Sequence, residues 1–365
     1  MVDWNLAVAT ATRLVRPGPE VSRDEARAVV AELRRHAKAS EQHVRGFTRM
    51  GTDDIHDTPI LVVDRPGWVR ANVAGFREVL KPLLDKMQER RGNTPGGAVF
   101  GAVGGKVTGV ELGMLLSFLS SRVLGQYETF APASRELPAG AKGGRLLLVA
   151  PNIVHVEREL DVEPHDFRLW VCLHEETHRT QFTAVPWLRD HLEGEIQSFL
   201  GETEVDPMTV LERIREAAQS LAGGRPEGEE DDEGRSLVEI VQTPAQREIL
   251  GRLTAVMSLL EGHADFVMDG VGPDVVPSVA EIREKFQQRR AKGASRLDSA
   301  LRKLLGLDAK LRQYRDGERF VHAVVDQVGM DGFNRVWTSP NTLPTKTEIA
   351  KPADWVARVH RKAES

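Results

Sequence analysis

Between residues 164 and 184 the chain commits to one long helix whose apolar face ends in two polar rings. Phe167, Trp170, Val171, His174 and His178 follow i, i+3, i+4, i+7, i+11 spacing, a single stripe on a 3.6-residue repeat. Two imidazoles one turn apart, with a carboxylate beside the first, are costly to bury unless they share a partner. In His174-Glu175-Glu176-Thr177-His178, positions four apart stack on one face and can grip one cation. Glu175 projects about 100° around the helix, where it can reach a water on that cation without ligating it. The plainer alternative is a pair of core histidines bonded to backbone carbonyls. Arg168, Glu176 and Arg179 are expected on an opposite, charged face. Cys172, two residues before His174, faces elsewhere and reads as a small buried hydrophobe.

Two histidines do not complete a catalytic zinc site, which takes three protein ligands and one open position. After His178 the chain runs Arg-Thr-Gln-Phe-Thr-Ala-Val-Pro, so no third histidine follows at short spacing. Glu261 is the best candidate. It flanks a second stripe, Leu253, Met257, Leu260, Ala264 and Met268, with Asp265 one turn further on. Carboxylates at i, i+4 repel unless a cation is near. Glu261 is therefore expected to ligate, and Asp265 to accept a hydrogen bond from a ligand histidine, His174 first. Alternatives remain: His263 as ligand, His191 with Glu195 on the next helix, or two ordinary solvated acids.

The rest of the chain is read as helical over 4–15, 22–45, 66–90, 105–125, 164–184, 186–200, 207–221, 244–269, 278–290, 295–304, 316–328 and 353–362. Ser22-Arg-Asp-Glu25 fits a capping box, and Thr243-Pro244 sets a cap residue before proline. Strands are expected at 59–63 and 145–149, where short apolar runs lie near Gly or Pro. This gives a predominantly helical α+β chain with a small sheet, expected as one domain over 1–365. Its parts would be a helical stretch to about residue 95, a metal-site core over 96–270 and a helical end over 271–365. Residues 223–235, acidic and glycine-rich, read as a mobile surface loop.

Gly101, Gly105, Gly109 and Gly113 recur every four residues. Lys106 suggests a phosphate loop, but Val107 and Phe100 occupy positions that need Ser/Thr and Gly. The stripe instead suits close helix packing, or a flexible loop at its start. A net charge of −5, without basic runs interleaved with aromatics, gives no reason to expect nucleic acid. Neither a signal peptide nor a bilayer-length apolar run is visible, and a lone cysteine excludes an internal disulfide. The expectation is a cytoplasmic protein.

With these residues in view, the chain resembles the gluzincin branch of the zincin metallopeptidases, which combine H-E-x-x-H with E-x-x-x-D on a later helix. It is more closely similar to a family of zincin-like hydrolases from actinobacteria and related bacteria, some associated with deazaflavin-coenzyme biosynthesis. The matching stretches are Phe167 to Phe182, Leu259 to Asp269, Gln313 to Val321 and Pro352 to Val356. The resemblance implies a zincin-like fold, Zn²⁺ held by His174, His178 and Glu261, and Glu175 as general base toward a peptide or other amide substrate. Of the two tyrosines, Tyr314 lies in a matching stretch and is the expected oxyanion donor, with His322 behind it. Two other readings stay open: a zinc-binding scaffold without turnover, and hydrolysis of a non-peptide amide.

Overall fold

The computed structural model describes residues 2–51, 58–91, 97–131, 144–202, 243–292 and 307–361, with side chains except at 83, 86–91, 97–107, 290–292, 307–315 and 361. The expected helices at 207–221 and 295–304, and the acidic stretch 223–235, lie outside the described residues. The chain forms two compact units, Met1–Arg189 with His263–Ala291, and Asp190–Gly262 with Lys292–Ser365.

The first unit opens with α1 (Trp4–Leu14) and α2 (Arg23–Thr48). Ser22 caps α2 by accepting from the Glu25 amide at 3.1 Å, while the Glu25 carboxylate accepts from Arg158 at 2.5 Å. Strand β1 (Ile60–Val63) leads into α3 (Arg65–Arg91) and α4 (Gly97–Ser120), followed by β2 (Gly125–Glu128) and β3 (Arg145–Val149). β3 is central: it pairs in parallel with β1 and antiparallel with β2. Leu146 through Val149 are fully buried, as expected of an apolar run covered on both faces. Trp68, Val69, Leu116, Leu147 and Val149 share a core with Ala11 of α1.

The glycine stripe falls inside α4. A β-carbon at Gly109 would lie 2.7 Å from the Asp3 carbonyl oxygen, and one at Gly113 2.7 Å from that of Ala7. These two glycines thus let α1 approach backbone to backbone; the packing around Gly101 and Gly105 is outside the described residues.

Among the described residues five elements exceed the sequence reading, two of them the short 3-10 helices Asn334–Trp337 and Pro340–Thr342. Strand β2 has no β-branched residue and only Tyr127 favours extended backbone, too little for its four residues to read as a strand. Helix α5 (Ala150–Leu160) starts directly at the end of β3 with Pro151 in its first turn, leaving no punctuation between strand and helix. A short helix, Lys346–Ala350, is closed by a full capping box between Thr345 and Glu348. Helix α6 (Pro164–Ala184) matches its expected span. It is followed by α7 (Leu188–Gly201), α8 (Pro244–Gly270) and α9 (Val279–Lys292). Thr243 and Gln246 cap α8 reciprocally at 3.0 Å in both directions.

The second unit includes α10 (Leu307–Phe333), α11 (Lys346–Ala350) and α12 (Pro352–Arg361). Phe320 and Trp355 meet edge to face at 5.8 Å, and the Trp355 indole donates to the Thr342 carbonyl at 2.8 Å. Here α8 and α10 touch through glycines. A β-carbon at Gly317 would lie 1.9 Å from the Ser258 carbonyl oxygen, and one at Gly262 2.1 Å from the Gly317 carbonyl carbon.

Candidate metal centre

Helix α6 is buried almost all round. From Leu169 to Gln181 every residue is buried except His174 and His178. Phe167, Leu169, Trp170, Val171 and Leu173 anchor it, each stabilising the fold by about 1.5–3 kcal/mol if fully transferred from water. The charged face expected for Arg168, Glu176 and Arg179 is covered instead, because α2 packs over it. Arg179 donates to both oxygens of Glu176, at 3.0 and 2.8 Å, and to Glu41 at 2.8 Å. Arg168 engages Glu157 at 2.9 and 2.6 Å, and also Glu32. Burial pushes the Glu176 carboxyl up to about 7 even against Arg179. Cys172 is fully buried, and burial followed by Glu175 and Glu176 holds its thiol well above the usual range.

The two partly exposed residues of this buried stretch form the centre. His174 Nε2 and His178 Nε2 stand 3.2 Å apart, with the rings edge to face at 4.8 Å. His174, His178 and Glu261 are each partly buried. A tetrahedral zinc with bonds of about 2.05 Å needs ligand atoms about 3.3 Å apart, which the two ring nitrogens at 3.2 Å match. Asp265, one turn beyond Glu261 on α8, brings Oδ1 to 3.5 Å from His174 Nδ1. Neither His191 nor Glu195 belongs to a metal-competent group among the described residues; the Glu195 carboxylate accepts from Arg252 at 3.0 Å.

Two supports were not read from the sequence. Gln181 Oε1 lies 3.0 Å from His178 Nδ1, and Gln181 Nε2 lies 3.1 Å from His263 Nδ1. His263 is therefore not in the ligand group but behind it. It is fully buried, and burial, with His178 nearby, pulls its imidazole down to about 3. The available signal was spacing, since Gln181 lies three residues after His178 on the same face. The other support is Gly125, at the start of β2. A β-carbon there would lie 2.5 Å from Glu175 Cγ and 2.7 Å from Oε1, so only glycine lets the strand press against this carboxylate.

Tyr127, two residues along β2, stacks on Phe182 of α6 at 5.5 Å, and burial raises its phenol to about 12. The Tyr314 side chain lies outside the described residues. His322 is half exposed, its Nε2 4.0 Å from Glu318 Oε1.

Comparison with known proteins bears on the chemistry. The model of a family described as zincin-like metallopeptidase matches residues 2–356. A solved structure described as "a putative hydrolase with a novel fold", from Chloroflexus aurantiacus, is similar to the chain at 29% identity. The match has a TM-score of 0.69 and covers 99% of each chain. No curated protein matches. No described helix is long and apolar enough to cross a membrane.

Proposed function

Since the chain belongs to the zincin-like metallopeptidase family, we propose that it is a zinc-dependent hydrolase of amide bonds, with peptides as the first substrate class to test. The observation that carries this reading is the partial exposure of His174 and His178, alone along a buried stretch of helix, with their ring nitrogens 3.2 Å apart and Glu175 beside the first. His174, His178 and Glu261 would hold the ion. Zinc, when bound, supplies a Lewis acid that lowers the pKa of water and polarises a carbonyl. Glu175 takes the proton from the attacking water and passes it to the leaving amine nitrogen. Gly125 keeps that carboxylate in place by excluding any side chain from its flank. Asp265 orients His174 and Gln181 orients His178, which fixes which ring nitrogen each histidine presents. Tyr314 and then His322 are the candidates to donate to the developing oxyanion.

The test has two parts. Elemental analysis of wild type and Glu261→Ala, equilibrated side by side with zinc, should show one fewer zinc per chain in the variant. A peptide-library cleavage assay should then show turnover in wild type and none in Glu175→Gln, with zinc content unchanged. Equal zinc in wild type and Glu261→Ala would remove the proposed ligand set. Zinc retention without cleavage of any peptide would favour a non-peptide amide or a scaffold role.

A further inference from the structure

We propose that Glu32, His36 and His165 form a second divalent-metal site, distinct from the centre at His174, His178 and Glu261. Glu32 and His36 lie one turn apart on α2, and His165 sits in the first turn of α6; ligand atoms of the three lie within 4.8 Å of one another. Both imidazoles converge on one carboxylate oxygen. His165 Nδ1 is 3.0 Å and His36 Nε2 3.5 Å from Glu32 Oε1. The rings meet edge to face at 4.5 Å.

His36 supplies the independent observation. It is 7% exposed, its Nε2 is sealed from solvent, and that atom has no partner at hydrogen-bond geometry. A buried ring nitrogen aimed at a carboxylate, yet too far for a good bond, is a poor arrangement for an imidazole alone. It suits an ion placed between them. The separations of 3.0 and 3.5 Å bracket the roughly 3.3 Å edge of a tetrahedral zinc site.

The contacts of Glu32 point the same way. Arg168 takes Glu32 Oε2 and both oxygens of Glu157, so Oε1 is the oxygen left facing the imidazoles. Glu32 and Glu157 share the one guanidinium of Arg168 in this largely buried group, with Arg35 and Arg158 acting on it from its edge. Two imidazoles and one carboxylate favour zinc or a neighbouring transition ion over calcium or magnesium, which prefer oxygen ligands. Nine residues along α6 separate His165 from His174, roughly 13 Å of helix rise, so this is not the second half of a two-metal catalytic pair. The ion would tie α2 to the start of α6.

The experiment uses the full chain. Wild type, His165→Ala, Glu261→Ala and the double variant are equilibrated with chelator-buffered zinc chloride, desalted and measured for zinc per chain. The His165 side chain is 60% exposed, so its removal leaves the fold intact, which circular dichroism checks. Two zincs in wild type, one in each single variant and none in the double are expected. Cobalt(II) in place of zinc should give two tetrahedral absorption components, one lost in His165→Ala. Equal zinc in wild type and His165→Ala would overturn the second site, whatever Glu261→Ala does. Loss in His165→Ala but not in Glu261→Ala would leave this site standing and remove the other.

Discussion

Replacing Gly317 by alanine should destabilise the protein, although the same change elsewhere on these helices should stabilise it. The new methyl would start 1.9 Å from the Ser258 carbonyl oxygen, some 1.5 Å short of the 3.4 Å at which ordinary van der Waals contact begins. The obstacle is backbone, so no side chain can swing away, and α8 and α10 must separate. Overpacking of this kind costs about 1–3 kcal/mol and more where nothing can yield. Against it stands a gain of about 1 kcal/mol from the better helix propensity of alanine. The clash wins, for a net loss of about 2 kcal/mol. Gly251→Ala, also on α8, is the control: nothing lies within 4 Å of its β-carbon position, so only the propensity gain remains. Urea unfolding should show a lower midpoint for Gly317→Ala and a higher one for Gly251→Ala, with unchanged slopes. A Gly317→Ala protein as stable as wild type would refute the backbone contact and the helix crossing inferred from it.

Three further outcomes are expected. Gly125→Ala should keep its zinc but lose about two orders of magnitude in turnover, because displacing the Glu175 carboxylate by about 1 Å spoils proton transfer; zinc loss in that variant would instead mean a disturbed helix. His263, held down to about 3 by burial, stays neutral in the folded protein while the unfolded chain protonates below 6.5. Its contribution is complete above pH 6.5 and lost at about 1.4 kcal/mol per pH unit as pH falls toward 3. Metal-free wild type should therefore lose about 2 kcal/mol more than His263→Gln between pH 7.5 and 5, read from urea midpoints. The Cys172 thiol should resist a disulfide-forming reagent at pH 8 in the native protein and react once per chain in urea; native-state reaction would contradict its burial.

Much of this architecture was legible because helices announce themselves over many residues. The α6 stripe ran through three turns, and its span was read to the residue. The same sequence concealed the side that α2 covers: Arg168, Glu176 and Arg179 read as a wet face because pattern analysis cannot see partners such as Glu41 and Glu157 more than ten residues away. Strand β2 was invisible for another reason. In Gly-Gln-Tyr-Glu only the tyrosine favours extended backbone, and the pairing with β3 is a tertiary effect. At the centre, the place of Asp265 beside His174 followed from charge logic along one helix. Gln181 and Gly125 were missed because their importance arises only where a neighbouring element arrives.

The ion pairs buried beneath α6 also separate scaffold from surface in experiments with added salt. Exposed pairs such as Arg27 with Asp24 are screened within a Debye length of about 8 Å at physiological ionic strength. Arg179 with Glu176, and Arg168 with Glu157, lie where mobile counter-ions do not reach. The seating of α6 should thus be nearly indifferent to ionic strength. Any salt dependence of turnover then reports how a charged substrate meets the outer surface, and a salt titration becomes an early guide to what that substrate carries.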